Sequence, residues 1–151
     1  LFLQDTDGLD VTGNTLAGAG TTNTVGLFLT DGSDMEIDGN DISGAAFGFF
    51  ENITQDGLVP NQIGALNSYA AITDTTYSLL VDPTVTDAVT RAGTDGNDGF
   101  IGSVGADIFV GNAGDDFLFG DAGDDDLSGG QGNDIVEGAF GADVLSGGAG
   151  T

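Results

Sequence analysis

The chain has 151 residues, enough for one ordinary domain or two small ones sharing a core, with 28 Gly, 2 Pro and no Cys or His. Its 25 acidic residues face one basic residue, Arg91, and the formal net charge of −24 excludes nucleic-acid binding and disfavours anionic lipid surfaces. Lacking imidazole, thiol and Lys, it has no Ser-His-Asp triad, no thiol nucleophile and no His/Cys zinc site; its 39% hydrophobic content, including ten Phe, is too high for a solvated tail.

No apolar run reaches the roughly 18 residues of a membrane span, and no basic-then-apolar leader opens at Leu1, so membrane insertion is not expected. The missing initial Met and a last residue that falls inside a repeat lead us to expect a piece of a longer or processed protein. The absence of Cys fits export in an unfolded state, where free thiols would be a liability.

Residues 1–53 carry a long repeat. Leu9, Val11 and Leu16 align with Met35, Ile37 and Ile42, and Gly13, Asn14 and Gly18 align with Gly39, Asn40 and Gly44. Alternating apolar positions followed by Gly-Asn predict a solenoid of parallel strands, with the Asn in the left-handed turn conformation and stacked on its equivalent one rung away. Val25, Leu27 and Leu29 alternate as a further strand, echoed by Phe47, Phe49 and Phe50. This stretch resembles the last rungs of a right-handed parallel β-helix. Asp31, Asp34 and Asp38 are its candidates for a carboxylate pair, but they read better as turn residues.

Residues 54–92 hold both prolines, Pro60 and Pro83, and read as a connecting or covering segment. Its apolar clusters, Tyr69 to Ile72 and Tyr77 to Val81, are expected to pack on the solenoid, and a short helix is predicted around Asn61 to Ala71. Arg91 is expected to anchor the junction to a local carboxylate.

Residues 93–151 have a nine-residue period. Gly fills the first position from Gly93 to Gly147 and the fourth from Gly96 to Gly150; Asp fills the sixth at Asp98, Asp107, Asp116, Asp125, Asp134 and Asp143. The eighth is apolar throughout: Phe100, Phe109, Leu118, Leu127, Val136 and Leu145. This pattern, G-G-x-G-x-D-x-U-x, resembles the repeat of RTX (hemolysin-type) calcium-binding proteins and implies their parallel β-roll. In physical terms, the glycines let the backbone turn and aim carbonyls inward, and the eighth side chains stack into a thin core. Each repeat makes half a coil, so Asp98, Asp116 and Asp134 form one ladder and Asp107, Asp125 and Asp143 another, about 4.8 Å between rungs. Carboxylates so close repel unless a cation separates them, and a hard ion taking six to eight oxygens, Ca²⁺, suits the donor set. The six aspartates are therefore the expected metal ligands, with the backbone carbonyls of Gly102, Gly111, Gly120 and Gly129 assisting and several ions bound, most securely between Gly111 and Glu137. Asp95, Asp121, Asp126 and Glu137 read as solvated charges, and Asp115 and Asp124 as supporting positions.

The expected fold class is thus all-β: a parallel β-roll of nonapeptide repeats preceded by the last rungs of a parallel β-helix. On the outer face, Ile101, Phe117, Phe119 and Ile135 should form an apolar stripe suited to docking. The sequence as a whole resembles the boundary between β-helix and R-module in secreted mannuronan C5-epimerases, although their Tyr-Gly-Phe-Asp-Pro-His motif has no counterpart here. The resemblance implies an extracellular, secreted protein and an anionic polysaccharide partner such as alginate. No catalytic residue is assigned to this chain: the expected function is a calcium-binding module that folds on extracellular Ca²⁺ and stabilises or targets an attached polysaccharide-active β-helix. The alternatives are a fragment of an epimerase or lyase whose catalytic residues lie elsewhere, and a Ca²⁺-dependent adhesin or glycan-binding element.

Overall fold

The computed structural model describes residues 1–4, 8–17, 25–32, 35–45, 47–55, 57, 62–63, 68–70 and 75–150. The described residues form strands and no helix. Three short strands make up each early coil: β1 (Phe2–Gln4), β2 (Asp10–Thr12) and β3 (Thr15–Ala17), then β4 (Val25–Thr30), β5 (Glu36–Asp38) and β6 (Asp41–Ser43), then β7 (Phe47–Ile53), β8 (Gln62–Ile63) and β9 (Ser68–Ala70). The strands β10 (Thr75–Val81) and β11 (Thr90–Ala92) open a narrower arrangement. It continues as β12 (Gly99–Ile101), β13 (Ile108–Ala113), β14 (Phe117–Ala122), β15 (Asp126–Gln131), β16 (Ile135–Phe140) and β17 (Val144–Ala149).

One parallel sheet, β1-β4-β7-β10-β12-β14-β16, runs the length of the molecule. Beside its early strands stand two three-stranded sheets, β2-β5-β8 and β3-β6-β9; beside its later strands stands a single sheet, β11-β13-β15-β17. The coil accordingly shortens. Equivalent residues are 26 apart at Asn14 and Asn40, and 18 apart at Asp98 and Asp116. The cause is local: the first two coils turn between their second and third strands through a left-handed glycine, Gly13 or Gly39 (φ 64° in both), whereas the nonapeptide has room for one strand and one turn.

The core narrows with the coil. Leu27, Met35, Ile37, Ile42 and Phe49 fill the wide part, and Tyr77, Phe100, Phe109, Leu118 and Leu127 follow nearly in single file, all fully buried. Aromatic rings bridge the change of width: Phe49 stacks on Tyr77 at 4.9 Å, Tyr77 meets Phe100 edge-on at 4.9 Å, and Phe100 meets Phe109 at 5.5 Å. The column thins at the last coils, where Val136 is partly buried and Leu145 is 49% exposed.

Two sequence expectations need correction. Within the helix expected at 61–71, residues 62–63 and 68–70 are strands, because pairing with β5 and β6 holds them in the solenoid register. The left-handed turn residues are the glycines, Gly13 and Gly39, rather than the asparagines. The asparagines do stack as expected: Asn14 Nδ2 donates to Asn40 Oδ1 at 3.0 Å, and Asn40 Nδ2 donates to the Val11 carbonyl at 2.7 Å. Asp34, Pro60 and Ile72 lie outside the described residues.

Candidate metal centre

Each nonapeptide brings its sixth-position aspartate back against its own first glycine. The carboxylate oxygens then have separate roles. Oδ1 accepts the backbone N–H of the residue one coil earlier: Asp98 from Tyr77 (2.8 Å), Asp116 from Asp98 (2.8 Å) and Asp134 from Asp116 (3.0 Å) on one side. On the other side Asp107 accepts from Val89 (2.7 Å), Asp125 from Asp107 (2.8 Å) and Asp143 from Asp125 (3.1 Å). These are the two ladders that the half-coil spacing predicts, each extended one rung upstream into residues that belong to no nonapeptide.

Oδ2 faces the first-position glycine. A Cβ on Gly111 would collide with Asp116 Oδ2 and with the carbonyl oxygen of Gly129, and a Cβ on Gly120 would collide with Asp125 Oδ2 and crowd the Gly138 carbonyl at 2.9 Å. The glycines are needed here for space rather than for a left-handed φ, and each leaves a pocket lined by a carboxylate oxygen and a carbonyl oxygen. In the middle of the roll nothing in the protein satisfies that carboxylate oxygen: Oδ2 of Asp116, Asp125 and Asp134 is buried without a hydrogen-bond partner. In the first two repeats it is satisfied. Asp98 Oδ2 accepts from Thr94 N–H at 2.6 Å and the Thr94 hydroxyl at 3.1 Å, and Asp107 Oδ2 accepts from Ser103 N–H at 2.9 Å.

Burial, opposed by the hydrogen bonds to Thr94 and Tyr77, pushes the Asp98 carboxyl up to about 7, with Asp116 adding to the rise. Burial likewise raises Asp116 to about 6, with Asp134 and Asp115 contributing, and raises Asp107 and Asp125. Without a cation, then, these four carboxyls resist ionising, and a bound cation would reverse this. Among the described residues no three acidic side chains converge on one point. The donor set is instead a carboxylate oxygen and glycine carbonyls, hard oxygen donors of the kind that Ca²⁺ accepts.

Of the glycines expected to lend carbonyls, Gly111, Gly120 and Gly129 do place them beside an aspartate, as does Gly138, which the sequence analysis did not name. Gly102 contributes its empty Cβ position beside Asp107. The fifth position carries a ladder of its own: Asn97 Oδ1 accepts from Asp115 N–H, Asp115 Oδ1 from Asn133 N–H, and Asp124 Oδ1 from Ala142 N–H, at 3.0, 2.8 and 2.9 Å. The 18-residue spacing would have revealed it. Asp95, Asp126 and Glu137 are exposed, whereas Asp121 is half-buried in a left-handed conformation (φ 76°).

Elsewhere, Asp31 grips Thr54 through both oxygens at 2.7 Å and is a turn clasp. Arg91 does find a carboxylate, but not a local one: its guanidinium pairs with Glu51, 40 residues away, at 2.7 and 2.9 Å. Both are buried, in rows otherwise apolar: Glu51 aligns with Leu29 and Leu79, and Arg91 with Phe109. Tyr77 donates to Glu51 at 2.5 Å, and its hydroxyl is held well above its usual range, first by burial and then by the Glu51 charge. Burial alone would lower the Arg91 guanidinium, and Glu51 more than offsets it.

On the outer face of the long sheet, Ile101, Phe117 and Ile135 are exposed and Phe119 is half-buried. Phe117 and Ile135 share one row, which continues upstream as the stacked rings of Phe2, Phe28 and Phe50, at 5.1 and 5.0 Å, while Ile101 and Phe119 pair in the neighbouring row. Between Phe50 and Phe117 the row drops to Ser78 and Gly99, leaving a groove of about 420 Å³ edged by Asn97 and Asp115.

No curated protein and no solved structure matches the chain. The likeness of residues 1–53 to the epimerase β-helix therefore finds no support there. A family model does match the C-terminal part, over residues 92–127, 101–136 and 119–151: the RTX calcium-binding nonapeptide repeat. Residues 92–151 are thus similar to RTX calcium-binding repeats, and they carry the aspartate ladders and the phased apolar column of the nine-residue pattern.

Proposed function

We propose that the chain is the calcium-binding module of a secreted bacterial protein, ordered by Ca²⁺ after export and serving to stabilise or target an attached polysaccharide-active β-helix. The observation that carries this reading is the set of buried carboxylate oxygens on Asp116, Asp125 and Asp134 that no protein donor satisfies. An unpaired buried carboxylate is expensive, so a native fold that contains three needs a cation. Separate ions would be held on the two sides of the roll, by Asp116 and Asp134 with the Gly129 carbonyl on one and by Asp125 with the Gly138 carbonyl on the other. The ion supplies positive charge and oxygen affinity, and its binding free energy becomes folding free energy. Where calcium is scarce, a chain of net charge −24 repels itself and remains suited to export; where calcium is abundant, it folds.

The test is a calcium titration of the metal-stripped chain followed by far-ultraviolet circular dichroism, with Mg²⁺ as the control. A steep gain of β-signal with Ca²⁺ alone is expected; a signal already complete without metal, or an equal response to Mg²⁺, would overturn the reading. At limiting Ca²⁺, Asp116→Ala and Asp125→Ala should each raise the calcium midpoint more than Asp126→Ala, whose side chain is exposed.

The groove between Phe50 and Phe117 favours a second reading, a Ca²⁺-dependent glycan-binding element. Aromatic walls suit the apolar faces of sugar rings, and the Asn97 and Asp115 edge suits their hydroxyls. Retention on immobilised alginate that requires Ca²⁺ and is lost in Phe117→Ala would support it; retention that ignores both would not.

A further inference from the structure

The calcium-facing oxygens divide sharply along the roll. Asp98 and Asp107 have Oδ2 closed by donors from their own repeats, whereas Oδ2 of Asp116, Asp125 and Asp134 is buried and open. The difference lies at the second position of the repeat. In the third to sixth repeats that residue is left-handed: Asn112 (φ 79°), Asp121 (76°), Gly130 (112°) and Ala139 (74°). In the first two it is Thr94 or Ser103, neither of which has a positive φ. Reversing the sign of φ swings the peptide N–H. With ordinary φ, the amides of Thr94 and Ser103 point at the aspartate four residues on, and Thr94 adds its hydroxyl.

The hydroxyls also tie the turn down, because Thr94 Oγ1 accepts Gly96 N–H at 3.0 Å and Ser103 Oγ accepts Gly105 N–H at 3.2 Å. A β-branched Thr resists the left-handed region, so Thr94 holds its repeat in the closed form. The glycine cradle is otherwise the same in both halves: Asp98 Oδ2 and the Gly111 carbonyl flank Gly93 just as Asp116 Oδ2 and the Gly129 carbonyl flank Gly111.

We infer that Thr94 and Ser103 take the place of calcium in the first two repeats: their donors close Asp98 and Asp107, those rungs bind no ion, and calcium binding begins at Asp116. The inference rests on the calcium reading above and deepens it, by dividing one ladder into a self-capped start and a metal-dependent continuation. The capped rungs are also those that bond to Tyr77 and Val89, upstream of the repeats.

The test is an ion count on the full chain at saturating Ca²⁺ by native mass spectrometry, comparing the parent with the double variant Thr94→Gly, Ser103→Gly and with Asp125→Asn. Freed of its caps, the double variant should bind more ions than the parent, and Asp125→Asn fewer. A folded double variant with an unchanged count, beside an Asp125→Asn that does lose ions, would overturn the division alone. A parent that binds no calcium would overturn the calcium reading and this inference with it. Should the double variant not fold, hydrogen exchange on the calcium-loaded parent decides: slow exchange of the Thr94 and Ser103 amides supports the caps, and fast exchange of both overturns them.

Discussion

The early coils and the late coils solve the same problem by different means. Both stack parallel strands on one continuous sheet, and both bring polar side chains into line from coil to coil. In the early coils those side chains satisfy one another: Asn14 with Asn40, Asn40 with a backbone carbonyl, Asp31 with Thr54. Three strands per coil also enclose a core several side chains across. The late coils enclose only a single apolar column, and the carboxylates of Asp116, Asp125 and Asp134 are left with an open oxygen. A solenoid can therefore shed about a third of each coil's residues, from 26 to 18, if something from outside replaces the lost interactions. Width and self-sufficiency are exchanged for dependence on an ion.

The broadest way to break the comparison is to remove the metal. With a chelator present, amides of β13 to β17 should lose protection from hydrogen exchange while those of β4 and β7 keep it; uniform loss across both regions would show that the early coils do not stand by themselves. Next in size is the junction. Arg91→Ala leaves the buried Glu51 without its cation, so a loss of about 3–5 kcal/mol is expected in urea unfolding at saturating calcium. A loss below about 1 kcal/mol would mean that water reaches Glu51.

Smaller changes sharpen the picture of the roll. Gly111→Ala places a methyl group against Asp116 Oδ2 and the Gly129 carbonyl, whereas Gly147→Ala meets nothing within 4 Å. The first should raise the calcium midpoint severalfold and the second should change stability by no more than about 0.5 kcal/mol. Equal effects would argue against the cradle.

A separate handle is pH acting on the calcium-free chain. Asp98 at about 7 and Asp116 at about 6 stand above the unfolded carboxylate value of about 3.9, so between these limits the folded state holds more protons than the unfolded one. The stability they contribute is complete below about pH 4 and is lost as pH rises through 6 to 7. In chelator, the β-signal of the roll by circular dichroism should therefore fall over that window. The slope should flatten when calcium is present, since the ion then takes the place of the proton.

What was legible in the sequence was whatever recurs. The nine-residue period located the buried column of Phe100, Phe109, Leu118 and Leu127, together with the two aspartate ladders, because a repeat fixes which residues share a rung. The paired copies at Leu9 and Met35 similarly gave the strand order of the early coils and the contact between Asn14 and Asn40. What occurs once was not legible. Glu51, Tyr77 and Arg91 come together across the core from three different strands, and no spacing announces a contact 40 residues long. The strands at 62–63 and 68–70 are fixed by pairing partners rather than by their own pattern, which is why a helix was predicted there. Thr94 and Ser103 stand where the repeat pattern has glycine, and their roles show only in the direction of their amides.

The unbroken sheet from β1 to β16 has a mechanical consequence. In a stack where each coil touches only its neighbours, order spreads as a front, and the cost of starting it is met once, wherever a finished edge already exists. The strand β10 is such an edge: its Tyr77 N–H waits for the first aspartate of the roll. Damage near β10 therefore separates everything beyond it from its seed, whereas the same damage at β17 merely shortens the rod.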